Sequence, residues 1–235
     1  MLSVVKHGPS LVLLQFTRKG IQGVRHFINR ALLAPNVLTI PVDFDIVQEL
    51  APLASSEPPK ERFCTARPPW QSDVRWISPR SIEGYRVFES AFQRLGVAKH
   101  VIDYLDVERD VRLYAGFLVV RSECAATDFH LDWIKTNNEA FTLITPITTN
   151  ASGFGLLYRK LNGEIGEYDY QPGEAIVLGD HFAHSTKPGR SNEPVVLLSF
   201  TFGSDKMDHW ESISRTANHQ SQLVCRPDGE FLTLE

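Results

Sequence analysis

Cysteine is scarce in this chain: Cys64, Cys124 and Cys225 form an odd set with no close pairing. That fits a reducing compartment better than a disulfide framework, so a cytoplasmic location is expected. Long apolar runs are also missing. The early stretch Leu11-Val12-Leu13-Leu14 is too short to span a bilayer and carries no signal-peptide cleavage pattern. Positive charge is not in excess, since 24 Lys and Arg against 28 Asp and Glu leave a formal net charge of −4. No electrostatic reason to expect nucleic acid follows, and no basic stripe is visible. Internal repeats and low-complexity tracts are absent as well.

What is present suits a globular protein. With 43% hydrophobic residues over 235 positions, the chain can bury a core that needs no staples. A single domain over 1–235 is expected. Within it, 1–111 form an N-terminal elaboration with a long loop at 51–79, 112–203 a core, and 204–235 a C-terminal extension.

Periodicity supports that division. Residues 10–16 read as a buried strand, and Ile21, Val24, Phe27, Ile28, Ala31 and Leu32 recur at helical spacing over Gly20–Ala34. Val37–Val42 reads as a further strand. The 51–79 stretch is irregular, with two Pro-Pro pairs. Trp70 and Trp76 mark it either as a substrate-lining lid or as an arm anchored by buried tryptophans. A second helix starts near Ser78-Pro79 or Ser81, shows Tyr85, Phe88, Phe92 and Leu95 on one stripe, and stops at Gly96. From residue 112 the period turns strand-like. Leu113–Arg121, Phe129–Trp133 and Ala140–Ile147 come first, then a hairpin at Asn162-Gly163, Glu174–Leu178, a strand through His184, and Val195–Phe202. The expected fold is α+β, mainly β: a jelly-roll barrel with N-terminal helices packed on one side.

One tripeptide inside that series carries chemistry. On a strand, alternate side chains share a face, so His130 and Asp132 project together while Phe129, Leu131 and Trp133 pack opposite. An imidazole from a distant hairpin would complete a 2-His-1-carboxylate face, the donor set of non-haem ferrous centres that keep coordination positions open. His184 is the candidate, with His181 as its competitor.

The stretch from about 113 to 203 resembles the double-stranded β-helix core of the iron(II)/2-oxoglutarate-dependent oxygenases. The matching residues are His130-x-Asp132, then Gly173-Glu174-Ala175-Ile176-Val177-Leu178-Gly179-Asp180, then His184-Ser185-Thr186. The resemblance implies Fe(II) held by His130, Asp132 and His184. It further implies 2-oxoglutarate and O2 as co-reactants, and hydroxylation, desaturation or cyclisation of a small-molecule substrate. Many members hold the far carboxylate of 2-oxoglutarate with an arginine on the final strand, where this chain reads Pro194-Val195-Val196-Leu197-Leu198. A buried carboxylate needs a charged or multiply donating partner. Arg190, Arg159 and Thr145 are therefore the candidates, with Lys160 and Thr142 behind them. For the substrate the candidates are Trp133, Asn137 and Arg121. Two rival readings are a cupin-like metal enzyme without 2-oxoglutarate and a non-catalytic jelly-roll binding module.

Overall fold

The computed structural model describes residues 4–7, 11–14, 37–55, 57–67, 74–151, 154–160 and 162–234. Strands β1 (Val4–His7) and β2 (Leu11–Leu14) pair antiparallel, and the helix expected over Gly20–Ala34 lies outside the described residues. Next come β3 (Val37–Pro41) and two short helices, α1 (Phe44–Gln48) and α2 (Ala51–Ser55). The stretch expected to be an irregular loop holds more than α2. It also contains β4 (Phe63–Ala66) and β5 (Val74–Pro79), so Trp76 sits in a strand, while Trp70 is outside the described residues. Helix α3 (Ile82–Arg94) starts at Ser81, whose hydroxyl accepts from Gly84 N at 3.3 Å. After α4 (Ala98–Val101) the core strands follow: β6 (Arg112–Cys124), β7 (Ala140–Pro146), β8 (Gly155–Arg159), β9 (Ile165–Asp169), β10 (Glu174–Leu178), β11 (His184–Thr186) and β12 (Gly189–Gly203). Helix α5 (Trp210–Ala217) and a final pair, β13 (Leu223–Cys225) with β14 (Phe231–Thr233), complete the order.

Seven strands form one antiparallel sheet in the order β3-β10-β7-β12-β6-β5-β4, and β11-β8-β9 form a second. The expected jelly roll is present as two packed sheets; among the described strands the hydrogen bonds do not close into a barrel. Alternation along β6 and β12 divides the large sheet into two faces. Leu118, Leu198, Phe200 and Phe202 belong to the cluster that receives Tyr85, Phe88 and Phe92 of α3. Phe92 meets Phe200 edge-on at 5.4 Å and Phe202 at 5.2 Å. The alternate positions Phe117, Val119, Arg121, Leu197 and Ser199 look the other way, into a cavity under the small sheet. Leu156, Tyr170 and Phe182 close that side against Ile176, Leu178 and Leu197.

No helix among the described residues is long and apolar enough to cross a membrane.

Gly116 sets how close α3 lies to the sheet. A Cβ there would fall 2.6 Å from Phe88 Cβ and 3.1 Å from Phe200 Cδ1. Gly116→Val is expected to lower stability by about 1–3 kcal/mol in thermal or urea unfolding, through overpacking. Combined with Phe88→Ala, the two losses should amount to less than their sum, because the two sites share one contact.

Candidate metal centre

His130 and His184 face each other across a single antiparallel bridge. His130 N donates to His184 O at 2.9 Å and His184 N to His130 O at 3.0 Å. Directly opposed residues send their side chains to the same side, and the two imidazole centroids lie 4.5 Å apart. Residues 129–133 do not form the expected strand beyond this one bridge. The chain leaves the sheet after Asp132 because other contacts claim it. Thr216 of α5 donates its hydroxyl to Asp132 O, and Lys135, Asn137 and Asn138 adopt left-handed backbone with φ of 61°, 57° and 65°. Buried Asp180 secures that loop by accepting from Thr136 N at 3.2 Å, Thr136 Oγ1 at 2.5 Å and Asn138 N at 3.3 Å. Asp180 lies in the turn before His184, so one carboxylate ties together the two segments that supply the cluster.

The imidazoles are oriented in the same way. His130 Nδ1 lies 2.9 Å from Asp128 O, and His184 Nδ1 lies 3.0 Å from Phe182 O. A carbonyl oxygen only accepts, so both Nδ1 atoms carry a proton and Nε2 is the atom through which either neutral ring would ligate. The two Nε2 atoms converge on Asp132 Oδ1, at 3.6 Å from His130 Nε2 and 3.7 Å from His184 Nε2. These separations exceed hydrogen-bond length. All three donor atoms nevertheless lie within 4.8 Å of one another, a spacing one cation can bridge. His184 is 4% exposed while His130 is open to solvent, so the cluster stands at the cavity mouth with one buried and one accessible imidazole.

Burial is the main influence on His184 and holds its pKa below the ordinary value; the Asp132 carboxylate opposes this and His130 reinforces it. The buried imidazole therefore stays neutral and available as a donor.

The cavity behind the cluster measures about 490 Å³, within the usual range for a small-molecule site. Arg121, only 5% exposed, lines it and donates Nη1–H to Thr186 Oγ1 at 2.7 Å. In register Arg121 stands opposite Val195 of β12. Tyr170 also lines the cavity. Burial chiefly raises its phenol pKa, with Arg121 lowering and Asp132 raising it, so the ring lies within the field of both.

Several residues expected at the site are elsewhere. Arg190 is exposed and pairs with Glu123 across the strands at 2.8 Å, and Arg159 lies over the Phe129 ring at 4.6 Å on the outer surface. Thr145 donates to Glu174 O at 2.8 Å. It sits opposite Leu198, on the helix-facing side of the sheet. Trp133 is fully buried, donating Nε1–H to Thr142 Oγ1 at 3.0 Å and packing with Tyr114 and Ile213 rather than lining the cavity. Asn137 is an exposed turn residue, and His181 is exposed at φ 61° with its amide on Trp133 O. Arg121 and the His130, Asp132, His184 set are brought together. Sequence spacing did not reveal Tyr170, Ser199, or the group Arg215, Thr216, His219 and Gln220 that reaches the cavity from the C-terminal extension.

No protein-family model matches the sequence, and no curated protein aligns with it. Solved structures do. The α-ketoglutarate-dependent epimerase SnoN from nogalamycin biosynthesis superposes with a TM-score of 0.60 at 10% identity, over 77% of this chain and 83% of SnoN. HygX from Streptomyces hygroscopicus, solved with nickel and 2-oxoglutarate, gives 0.53 at 12% identity over 77% and 86%. An oxidoreductase of the 2OG-Fe(II) oxygenase family from Burkholderia pseudomallei gives 0.53 at 13% over 78% and 90%. The chain thus has the fold of the iron(II)/2-oxoglutarate oxygenases.

Because the unfolded chain binds a proton at His184 more readily than the folded chain, metal-free protein should lose stability as pH falls through about 6.5, by no more than about 1.4 kcal/mol per pH unit from this group. Above that pH the contribution is fully present. Subtracting the unfolding curve of His184→Gln from that of the wild type, between pH 8 and 5.5, isolates it. A pH-independent difference would contradict the assignment.

Proposed function

We propose that this protein is a non-haem iron(II)- and 2-oxoglutarate-dependent oxygenase that oxidises a small organic molecule. One observation carries the reading: two imidazoles, each tied through Nδ1 to a backbone carbonyl, place Nε2 near one carboxylate oxygen in the lining of a cavity. Two histidines and one carboxylate on one side, with the cavity on the other, suit a ferrous ion that must keep positions open for co-reactants. His130, Asp132 and His184 would hold the ion. When bound, iron with 2-oxoglutarate and O2 supplies oxidation of a substrate C–H bond coupled to decarboxylation of the cosubstrate to succinate.

The chain's own residues orient and enclose. The Asp128 and Phe182 carbonyls keep both rings in the ligating tautomer, the outer-shell role that fixes ring direction and donor basicity. Arg121 is the anchor for the far carboxylate of 2-oxoglutarate, in place of Arg190, Arg159 or Thr145. Its guanidinium is buried beside Thr186, two residues past His184, and near the Tyr170 phenol. From β6 it reaches the level of Val195, the part of the final strand that carries no basic residue. Charge-assisted hydrogen bonds in such a dry site are stronger than in water. Ile144, Leu156 and Leu197 give the cavity an apolar lining. Asp132 fills the carboxylate position, which favours hydroxylation, desaturation or cyclisation over halogenation. Free thiols at Cys64, Cys124 and Cys225 suit the reducing conditions that ferrous iron needs.

Anaerobic titration with Fe(II) and 2-oxoglutarate should produce the visible charge-transfer band of the chelate. Asp132→Ala and His130→Ala should abolish it. Arg121→Gln should keep Fe(II) binding but raise the 2-oxoglutarate concentration for half-saturation by at least about tenfold. A band that survives in Asp132→Ala would refute the ligand set, and an unchanged half-saturation in Arg121→Gln would move the anchor elsewhere.

A further inference from the structure

The wall of the cavity contributed by the C-terminal segment has a chemistry of its own. Helix α5 is fixed from behind, with Ile213 and Ala217 buried against Trp133 and Tyr114. It is fixed in front by the Thr216 hydroxyl on Asp132 O. With α5 held in this way, Arg215, and His219 and Gln220 just beyond the helix, line the cavity. The same cavity is lined by Trp76 and Phe117, ring centroids 5.3 Å apart.

Among the described lining residues Asp132 is the sole carboxylate. On the oxygenase reading, the charges of a ferrous ion, Asp132, dianionic 2-oxoglutarate and Arg121 cancel. That leaves Arg215 as the remaining formal charge on the lining. Its present partner, Glu211, sits at 3.4 Å in a pair whose side chains are 69% and 91% exposed. Such solvent-screened pairs are weak and exchange readily. Gln220 adds a second requirement, because its side-chain oxygen is buried and accepts no hydrogen bond among the described residues. A buried acceptor left unpaired is costly, and a donor on a ligand would relieve it.

We propose that the substrate is a small organic anion. Its acidic head is received by Arg215 and His219, its flat or apolar body lies along Trp76 and Phe117, and an N–H or O–H meets Gln220. Arg215 is then the residue that selects for the head group, and the C-terminal segment is the specificity wall of the site. The assignment of this end to substrate rests on the oxygenase reading; the preference for anions at Arg215 does not.

The test uses the full chain with Zn(II) and 2-oxoglutarate present, so that the Arg121 end is filled. Binding of phenylacetate, phenylacetamide, benzyl phosphate and benzylamine is measured by saturation-transfer NMR and calorimetry. At least one anion should bind about tenfold more tightly than the neutral amide, and benzylamine more weakly still. Arg215→Gln should erase the preference, Arg215→Lys should retain it, and Glu211→Gln should strengthen it by removing the competing carboxylate. The ranking of phenylacetate against benzyl phosphate identifies which acid is read. Equal binding of amide and anions, failure of both anions to bind, or a preference that survives Arg215→Gln would overturn the proposal. A missing charge-transfer band alongside an intact anion preference would instead strike the oxygenase reading alone.

Discussion

Two backbone carbonyls govern this site. The oxygens of Asp128 and Phe182 each take an Nδ1 proton, and everything chemical about His130 and His184 follows from that choice of tautomer. Without it, two imidazoles 4.5 Å apart beside a carboxylate would settle into an ordinary hydrogen-bonded cluster. With it, both Nε2 atoms lie near the same oxygen across gaps too long for a hydrogen bond. The reciprocal amide bonds between His130 and His184 make this geometry a property of the main chain. The Asp180 carboxylate extends the same rigidity to the loop after Asp132.

The sheet supplies the rest through simple parity. On β6 and β12 one set of alternate residues meets the aromatic stripe of α3 and the other set lines the cavity. Arg121 belongs to the second set and Thr145, on β7, to the first, so one can serve a buried anion and the other cannot. A buried guanidinium costs desolvation energy unless an anion or a set of acceptors receives it. Its retention beside Thr186 and Tyr170 is thus a chemical signal in its own right. On the α5 side the same cavity is lined by the exposed Arg215 and His219.

Local spacing was enough to read part of this. The Ser81 cap, the aromatic stripe of α3, the Asn162-Gly163 hairpin and the unbroken apolar run of β12 all express local preferences that tertiary packing reinforces. His130, Asp132 and His184 were legible because a two-residue period and one distant histidine suffice to suggest a shared face. Three things were not. The shape of 129–133 depends on Thr216 and Asp180, far away in sequence, which draw the chain out of the sheet. The nearness of Arg121 to Thr186, and of Arg190 to Glu123, depends on strand register, which residue types alone do not fix. Finally, the reach of 215–220 into the cavity comes from how α5 docks on Trp133, and no motif announces that.

The claim beneath all of this concerns where two protons sit, and ¹⁵N NMR of histidine-labelled, metal-free protein measures it directly. The account predicts that His130 and His184 both carry a proton on Nδ1, held by the Asp128 and Phe182 carbonyls, and that adding Zn(II) or anaerobic Fe(II) perturbs Nε2 of both while Nδ1–H persists. Finding Nδ1 of either ring without its proton, or metal-induced loss of the Nδ1 proton, would contradict it.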